Sequence, residues 1–402
     1  MVEGVGSQKK RRLIKRRAAL KWLALSGAAA FIGRSLPIRA QFKTVRIGVL
    51  IPLSGDVDAY AQQIQIGIET AVTEINGTGG VLGRSIAVEY RDSETAPAVL
   101  PDRCKELIDD WGAIAIVGPF VSAGRKYAAR FLADRKIPLV NASNHEGGFC
   151  SPVLFSVGPT TDHDGHALVR YLDEEEQIKD YFMLGSYPSW QNTMFRQLRF
   201  PMYQRGDHVH GQALTATGEQ QFRPIIRWIQ ETKTASVLFC VMRSHGQEFL
   251  RQARELGLLK KITVGWIGFN DTLINGLAPE ELQRIVTTSP FVASDTEGGV
   301  PDFVARVRSQ HGADIPVGYH ALTHYNAIKA LKAAWERSGE VSAQAAITGL
   351  RGLTFESPTG PVSIDPDSQH ATMNIVVARG SKDGLQVVKR LGAIVPAPGC
   401  RI

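Results

Sequence analysis

Side chains suited to holding a small polar ligand follow two β-rich runs in the first half of the chain. Phe120 and Ser122 follow one run, and the loop after the next run contains Asn141, Ser143 and Asn144. Ligands of open parallel α/β sheets sit outside the carboxyl ends of the strands. Hydroxyl and amide groups at those ends predict hydrogen bonds to a small polar ligand, although turns favour the same residue types.

Ser122 is the strongest of these candidates, because it stands where a strand turns into a helix. We expect it at the N-cap, where its hydroxyl would lie beside the unpaired N–H groups of the first helical turn. That arrangement suits a carboxylate or a carbonyl oxygen. The alternative is that the hydroxyl only caps its own helix, and spacing alone does not separate the two.

Aromatic and acidic residues follow two further β-rich runs later in the chain. Tyr187 and Trp190 supply two aromatic faces that either close over a ligand or are partly buried within the fold. Asp271 follows a further run and offers a carboxylate to an ammonium or an amide N–H. An acid in an exposed loop is, however, more often only solvated.

The sequence lacks the motifs of the common catalytic and phosphate-binding sites. It contains no G-x-S-x-G, G-x-x-x-x-G-K-[ST] or H-E-x-x-H, and no G-x-G-x-x-G that opens a helix. The pairs His163 with His166 and His208 with His210 lack a nearby third ligand for a metal ion. We therefore predict no enzyme, no cofactor and no metal site.

The positive charge of the chain is concentrated at its start. The 402 residues carry a formal net charge of +7, but residues 1–40 hold ten Lys or Arg and one acid, which leaves −2 for the rest. A slightly acidic body argues against a nucleic-acid partner. The basic stretch is followed by an apolar run at residues 22–32, which is typical of an export signal.

Arg16 and Arg17 favour the twin-arginine export machinery over an ordinary secretory signal, with cleavage expected after Ala40. No later apolar run is long enough to span a bilayer. We therefore predict a periplasmic protein that is soluble after signal removal.

The four cysteines permit disulfides in an exported protein. They allow three complete pairings, and their spacing does not choose among them. Cys104 and Cys240 are predicted to be buried as small hydrophobic residues. Whether any disulfide forms remains open at this point.

From residue 45 onward, short β-rich runs alternate with amphipathic helical stretches, a pattern that indicates parallel α/β sheets. The alternation is interrupted and then starts again, so two lobes of similar design follow one another. Three interruptions predict that the chain crosses between the lobes three times; they lie at residues 158–165, 287–294 and 356–361.

Several segments, taken in order, resemble type I periplasmic solute-binding proteins of ABC transporters, in the branched-chain amino-acid (leucine-binding) class. They are IGVLIPLSG at 47–55, EIN at 74–76, GGVLGR at 79–84 and VGP at 117–119. Within that class, three further segments are more similar to the branch that binds urea and short-chain amides. These are SAGRK at 122–126, EG at 146–147 and SPTGPV at 357–362.

The resemblance implies two Rossmann-like, doubly wound lobes joined by three hinge crossovers, with the ligand in the cleft between them. The implied organisation is a signal peptide at residues 1–40, lobe 1 at 41–160 and 291–358, lobe 2 at 161–290 and 359–392, and a C-terminal tail at 393–402.

The resemblance also implies roles for the strand-end residues. Ser122 and Ser143 match ligand-binding hydroxyls of the first lobe, and Tyr187 and Trp190 match aromatic residues that close from the second. Asp271 aligns only approximately with the acid that amino-acid binders use for the α-ammonium. The full predicted site comprises Phe120, Ser122, Asn141, Ser143, Asn144, Tyr187, Trp190 and Asp271.

We therefore expect the extracytoplasmic solute-binding component of an ABC importer. It would capture an amino acid, urea or a short amide by hinge closure and present it to a permease in the inner membrane. The alternative is a ligand-sensing regulator of the amide-sensor type, which would use the same cleft to control a protein partner. The predicted export signal counts against that alternative.

Overall fold

The computed structural model describes residues 44–55, 57–186, 188–216, 218–241 and 243–402. The predicted leader at residues 1–40 and the predicted site residue Tyr187 lie outside the described residues. Within the described part of the chain, no helix is long and apolar enough to cross a membrane.

Fourteen strands are found among the described residues. In chain order they are β1 (Val45–Ile51), β2 (Ile86–Asp92), β3 (Ala115–Val117), β4 (Leu139–Asn141), β5 (Leu154–Ser156), β6 (Asp180–Ser186), β7 (His208–Thr215), β8 (Ser236–Cys240), β9 (Thr263–Trp266), β10 (Ile285–Ser289), β11 (Thr354–Phe355), β12 (Val362–Ile364), β13 (Ala371–Ser381) and β14 (Gly384–Ile394).

Eleven α-helices alternate with these strands in the same part of the chain. They are α1 (Ala61–Gly77), α2 (Leu100–Lys105), α3 (Ser122–Arg135), α4 (Ala167–Glu176), α5 (Pro188–Gln204), α6 (Arg223–Gln230), α7 (Arg243–Glu255), α8 (Pro279–Leu282), α9 (Val300–His311), α10 (Tyr319–Ser338) and α11 (Ala343–Leu350).

The strands form two sheets. The first has the order β2-β1-β3-β4-β5 and is parallel throughout. The second has the order β11-β12-β13-β10-β9-β8-β6-β7, with β14 also paired to β13. Its strands β10, β9, β8, β6 and β7 are parallel, and the strands beyond β10 pair antiparallel.

Strand β1 shows why the first sheet forms where it does. It lies between β2 and β3 and is covered on both faces, so its side chains are buried along almost the whole run VRIGVLI. Strands covered on both faces read as continuous apolar runs rather than as alternating ones. The carboxyl end of β1 therefore points to the same edge of the sheet as the ends of β3 and β4.

The buried cores divide the described structure into two lobes. One core surrounds the first sheet and draws its residues from 45–157 and 291–375. Two further cores lie around the second sheet, with residues from 168–292 and 376–385. We call these parts lobe 1 and lobe 2. The chain passes between them three times, and the predicted α/β class with two lobes and three crossovers is confirmed.

The third predicted interruption, at residues 356–361, is placed too early, because Phe355, Val362 and Ile375 all lie in the lobe 1 core and the chain crosses only before Val376.

The second predicted interruption, at residues 287–294, contains its crossing but begins inside a strand. Thr287, Thr288 and Ser289 belong to the buried strand β10, which pairs with β9 and β13. Hydroxyl-bearing residues suggest a turn in isolation, but β-branched threonine fits a pleated strand well. The hydroxyls of this strand find hydrogen-bond partners within the fold; that of Thr288, for example, donates to the main-chain oxygen of Asp164 at 2.6 Å.

The cysteines divide into two kinds. Cys104 and Cys240 are buried and unbridged, as predicted. Cys150 and Cys400 form a disulfide, with their Cα atoms 5.7 Å apart. The bridge holds the C-terminal tail against lobe 1, where Gly148 N also donates to Pro398 O at 2.6 Å.

Candidate ligand-binding site

A cavity of about 100 Å³ lies between the two lobes. Lobe 1 lines it with Val57, Tyr60, Phe120, Val121, Ser122, Asn144, Tyr319 and His320, and lobe 2 with Ser186, Trp190, Val241, Trp266, Ile267, Gly268 and Leu273. Most of these residues follow the carboxyl ends of parallel strands, where α/β sheets bind their ligands.

The lobe 1 side of the cavity carries an aromatic wall. The Tyr60 and Phe120 rings stack with their centroids 4.7 Å apart, and His320 meets Tyr60 edge-on at 5.1 Å. Burial raises the pKa of Tyr60 to about 12 and lowers the pKa of His320 well below its usual value. Both side chains are therefore neutral at pH 7 and present an uncharged wall.

Ser122 opens α3 rather than preceding it, which corrects its predicted position. Val121, which has extended backbone angles, is the N-cap residue, and no side-chain cap hydrogen bond is formed. The Arg125 N–H donates to the Val121 carbonyl at 3.1 Å, so the N–H groups of residues 122–124 lie in the first turn, without carbonyls one turn earlier to bond. The Ser122 hydroxyl is thus not engaged in capping its own helix and lies beside a helix end that favours anions.

A second polar group of atoms lies around Gly268. This glycine has a φ of +82°, and a Cβ atom placed on it would lie 3.5 Å from Asn144 Nδ2 and 3.6 Å from the Tyr319 hydroxyl oxygen. An amide nitrogen from lobe 1 and a phenol from the start of α10 therefore approach one point on the cavity surface. Glycine at this position leaves that point open.

The predicted residues Asn141 and Ser143 are near the cavity but do not line it. Both are buried, and the Asn141 Nδ2 donates to the Ser143 main-chain oxygen at 2.9 Å. This bond shapes the loop that carries Asn144 into the cavity. Ser143 has a buried hydroxyl that finds no hydrogen-bond partner among the described residues.

The predicted residue Asp271 lines a different depression, of about 670 Å³, together with Arg308 and Lys382. The Ala293 N–H donates to one of its carboxylate oxygens at 3.2 Å, and burial raises its pKa to about 6. Asp271 is therefore not placed with Phe120, Ser122, Asn144 and Trp190, the four predicted residues that do line the cavity between the lobes.

Eleven of the fifteen residues that line the cavity were missed by sequence reasoning, and four of these eleven carry rings. Trp266 is the last residue of β9, so the rule used for Ser122 would have found it, whereas Tyr60 lies nine residues beyond β1. Tyr319 and His320 begin a helix far along the chain and follow no strand. No local signal marks them, because tertiary packing alone brings the start of α10 to the cavity.

Comparison with known proteins identifies the family. A sequence profile described as "Periplasmic binding protein" matches residues 44–385. The chain belongs to the periplasmic binding protein family. Among similar sequences is the Leu/Ile/Val-binding protein BraC3 of Rhizobium johnstonii, 25% identical over 325 residues, which cover 79% of this chain and 87% of that protein.

Solved structures agree with the fold of this binding protein. A solute-binding protein of an ABC transporter from Rhodopseudomonas palustris BisB5, in complex with 3,4-dihydroxybenzoic acid, is 22% identical with a TM-score of 0.78 and covers 89% of this chain and 99% of its own. LivJ from Streptococcus pneumoniae, in complex with isoleucine, is 17% identical with a TM-score of 0.76 and covers 88% and 100%.

Family members are substrate-binding proteins rather than enzymes. Across the described ranges of this binding protein, no group of three or more His, Cys, Asp or Glu is placed to hold a metal ion. The cavity residues offer apolar surface, hydrogen-bond donors and one helix N-terminus, which suit the binding of a small molecule.

Proposed function

We propose that this chain is the extracytoplasmic solute-binding component of an ABC importer and that it captures a small carboxylic acid with an aromatic or apolar body. The cavity between the lobes carries this proposal. Its described lining residues include six with rings, namely Tyr60, Phe120, Trp190, Trp266, Tyr319 and His320, and none of them is Asp, Glu, Lys or Arg.

Different parts of the lining suit the apolar body and the carboxylate of such a ligand. A flat apolar body would be held between the aromatic wall of lobe 1 and the indoles of lobe 2. Its carboxylate would sit at the N-terminus of α3, where N–H groups and the Ser122 hydroxyl can donate. The volume of about 100 Å³ is of the order of the roughly 150 Å³ of an apolar cavity that binds benzene, which suits one small ring.

This ligand differs from the polar ligand expected from the sequence. Urea and short amides have little apolar body to place against the rings, so they rank below aromatic acids. An α-amino acid would need a partner for its ammonium, and Asp271 lies in another depression. The similar structures with 3,4-dihydroxybenzoic acid and with isoleucine support a carboxylate ligand, and both acids belong in any test.

Capture would proceed by hinge closure. The ligand would bind first to lobe 1, where Ser122, Asn144 and the stacked rings lie, and lobe 2 would then bring Trp190 and Trp266 over it. Strand β13 is suited to act as one hinge, because Ile375 is buried in the lobe 1 core and Val376 in the lobe 2 core.

Thermal unfolding with a panel of ligands tests the ligand class. The panel would contain benzoate, 3,4-dihydroxybenzoate, isoleucine, urea and acetamide. A ligand that binds only the folded state at about 100 times its Kd stabilises it by about 2.7 kcal/mol. We expect aromatic acids to raise the unfolding midpoint most. A rise with urea or acetamide alone would overturn the ligand class.

Export is part of the proposal and is tested separately. We expect the double change Arg16→Lys with Arg17→Lys to retain the protein in the cytoplasm if the twin-arginine machinery carries it. Lys9→Arg with Lys10→Arg is the matched control and should be exported normally. Normal export of the first variant would favour the ordinary secretory route.

A further inference from the structure

The end of the chain, residues 394–402, lies against the first crossing between the lobes, and we call it the C-terminal strap. It begins where strand β14 ends, because Ile394 pairs with Met373, a residue of the lobe 1 core. Beyond that pair the chain leaves the sheet and contacts the turn at residues 160–166, which leads into α4 of lobe 2. The strap is therefore placed to act on the hinge.

Two hydrogen bonds join the strap to this turn. The Ala397 N–H donates to Asp162 Oδ2 at 2.8 Å, and the Ile394 carbonyl accepts from His163 Nε2 at 3.0 Å. The Thr160 N–H donates to His163 Nδ1 at 2.9 Å, which leaves the ring proton on Nε2 and so makes Nε2 the donor to the strap. Both bonds are thus directional contacts between the strap and the first crossing.

The same turn is also held to lobe 2. The Thr161 hydroxyl donates to Oε1 of Gln197, a residue of α5, at 2.5 Å. The Thr288 hydroxyl of β10 donates to the main-chain oxygen of Asp164 at 2.6 Å. When lobe 2 rotates about the hinge, the turn must therefore move with it or lose these bonds.

The far end of the strap is held to lobe 1. The Gly148 N–H donates to the Pro398 carbonyl at 2.6 Å, and Cys400 is bridged to Cys150. Gly148 and Cys150 belong to the loop between β4 and β5, two strands of the first sheet. A hydrogen bond alone would let the strap move away with the turn, whereas the covalent bridge fixes the strap to lobe 1.

We propose that the disulfide-locked strap limits the opening of the hinge, and that reduction of Cys150–Cys400 releases this limit. Opening would carry the turn away from lobe 1, and its bonds to Ile394 and Ala397 would have to break. Loss of one hydrogen bond changes an equilibrium by up to about 10-fold, so two such bonds are enough to shift the populations of the open and closed forms.

The release is a thiol–disulfide exchange with a dithiol. One thiolate of the dithiol attacks a sulfur of the Cys150–Cys400 bridge, and its second thiol then displaces the mixed disulfide. The two cysteines gain two electrons and two protons and become thiols, and the dithiol becomes a cyclic disulfide. Cys150 and Cys400 are partly exposed, so a small dithiol can reach them, whereas Cys104 and Cys240 are buried and unbridged.

Distances between spin labels test the limit in the ligand-free protein. Nitroxides would be attached to p-acetylphenylalanine in place of Asp134 on lobe 1 and Glu231 on lobe 2, both exposed, so that no cysteine is added. Pulsed electron resonance should show a narrow distance distribution for the oxidised protein. After reduction with dithiothreitol, and equally in Cys400→Ser, the distribution should broaden towards longer distances.

A variant with the disulfide intact tests the hydrogen bonds separately. Ala397→Pro removes the N–H that donates to Asp162. Val395→Pro is the matched control, because the Val395 N–H forms no main-chain hydrogen bond in the part of the chain that the structure describes. In hydrogen exchange, the amides of residues 160–166 should exchange up to about 10-fold faster in Ala397→Pro than in the control, while those of β8 should exchange equally.

Each result decides the inference. Equal distance distributions for the oxidised, reduced and Cys400→Ser proteins would overturn it, as would equal exchange at residues 160–166 in the two proline variants. If circular dichroism shows that Cys400→Ser does not fold, the reduced protein and Ala397→Pro still give the answer. The measurements use no ligand, so failure of the ligand panel leaves the inference standing, and failure of the inference leaves the proposed function standing.

Discussion

The two lobes line the same cavity with different chemistry. Lobe 1 supplies Ser122, Asn144 and the Tyr319 hydroxyl, together with a helix N-terminus and the stacked rings of Tyr60 and Phe120. The lobe 2 lining is apolar or aromatic apart from Ser186 and Gly268. Directional hydrogen bonds provide specificity, whereas apolar burial is non-directional. The difference assigns recognition to lobe 1 and coverage of the ligand to lobe 2.

The lobes also differ in how they are held together. Lobe 1 is tied to the C-terminal tail by the Cys150–Cys400 disulfide. Lobe 2 contains two apolar cores, one on each face of its sheet, with Trp266 in one of them. A change in the lobe 2 wall should therefore affect folding and all ligands alike, and a polar change in lobe 1 should affect particular ligands.

The largest effect is expected from Trp266→Ala. Its side chain is 1% exposed and packs against Phe239 and Phe269, at centroid distances of 5.3 and 4.8 Å. Truncation of a buried tryptophan costs about 3–5 kcal/mol of stability. Chemical denaturation measures this loss, and titration should show weaker binding of every aromatic acid by a similar factor. Loss of one ligand class only would contradict the assignment of coverage to lobe 2.

Loss of the disulfide is expected to have the next largest effect. Cys400→Ser should lower the free energy of unfolding by about 2–4 kcal/mol, because the bridge closes a long loop in the unfolded chain. Denaturation with and without a reducing agent gives the control, since reductant should destabilise the unchanged protein and leave the variant as it was. Equal stability of both oxidised proteins would show that the bridge does not stabilise lobe 1.

Ser122→Ala tests recognition by lobe 1. The carboxylate of a bound acid should lose one hydrogen bond, which weakens binding by about 1–3 kcal/mol for a buried polar group. Stability should change little, because the hydroxyl does not cap α3. Ser309→Ala, an exposed serine near the end of α9, is the matched control for the titration. An unchanged Kd would remove Ser122 from the site.

A change in pH is expected to have a smaller and graded effect on the free energy of unfolding. Burial lowers the pKa of His163 and His370 to about 4, against an unfolded value of about 6.5. Above pH 6.5 both states are neutral and nothing is lost. Below it the unfolded chain binds more protons, so stability should fall by up to about 1.4 kcal/mol per pH unit for each histidine until about pH 4.

His370→Gln sharpens this prediction. Denaturation at pH 7.0, 6.0 and 5.0 should show a shallower loss of stability for the variant, by about one proton. His208→Gln is the control, because His208 lies exposed at the edge of lobe 2. The same slope in His370→Gln as in the unchanged protein would mean that His370 does not resist protonation in the folded state.

The ends of the strands could be predicted from the sequence, and the four predicted residues that line the cavity all follow such ends. Phe120, Ser122, Asn144 and Trp190 lie just beyond β3, β4 and β6. The rule works locally, because the turn after a parallel strand must lie at the carboxyl edge of its sheet. It does not say which side chains of a turn face inward, and Asn141 and Ser143 turn into the fold instead.

Other features depend on distant parts of the chain. Asp271 follows a strand as the rule requires, yet its carboxylate accepts from the Ala293 N–H and lies in a separate depression. Asp164 is buried at the first crossing between the lobes, where the Thr288 hydroxyl from β10 donates to its main-chain oxygen across 124 residues. The Cys150–Cys400 pairing likewise requires the tail to return to lobe 1 across 250 residues.

By itself the sequence determined the α/β class, the two lobes with three crossings, and the burial of Cys104 and Cys240, because these depend on the period of apolar residues. Only the tertiary structure decided the chemistry of the cavity. The aromatic wall joins Tyr60 and Phe120 to His320, and the second polar pair joins Asn144 to Tyr319. Residues separated by some 175–260 positions meet there because helix and sheet packing places them, and no pattern within one segment carries that information.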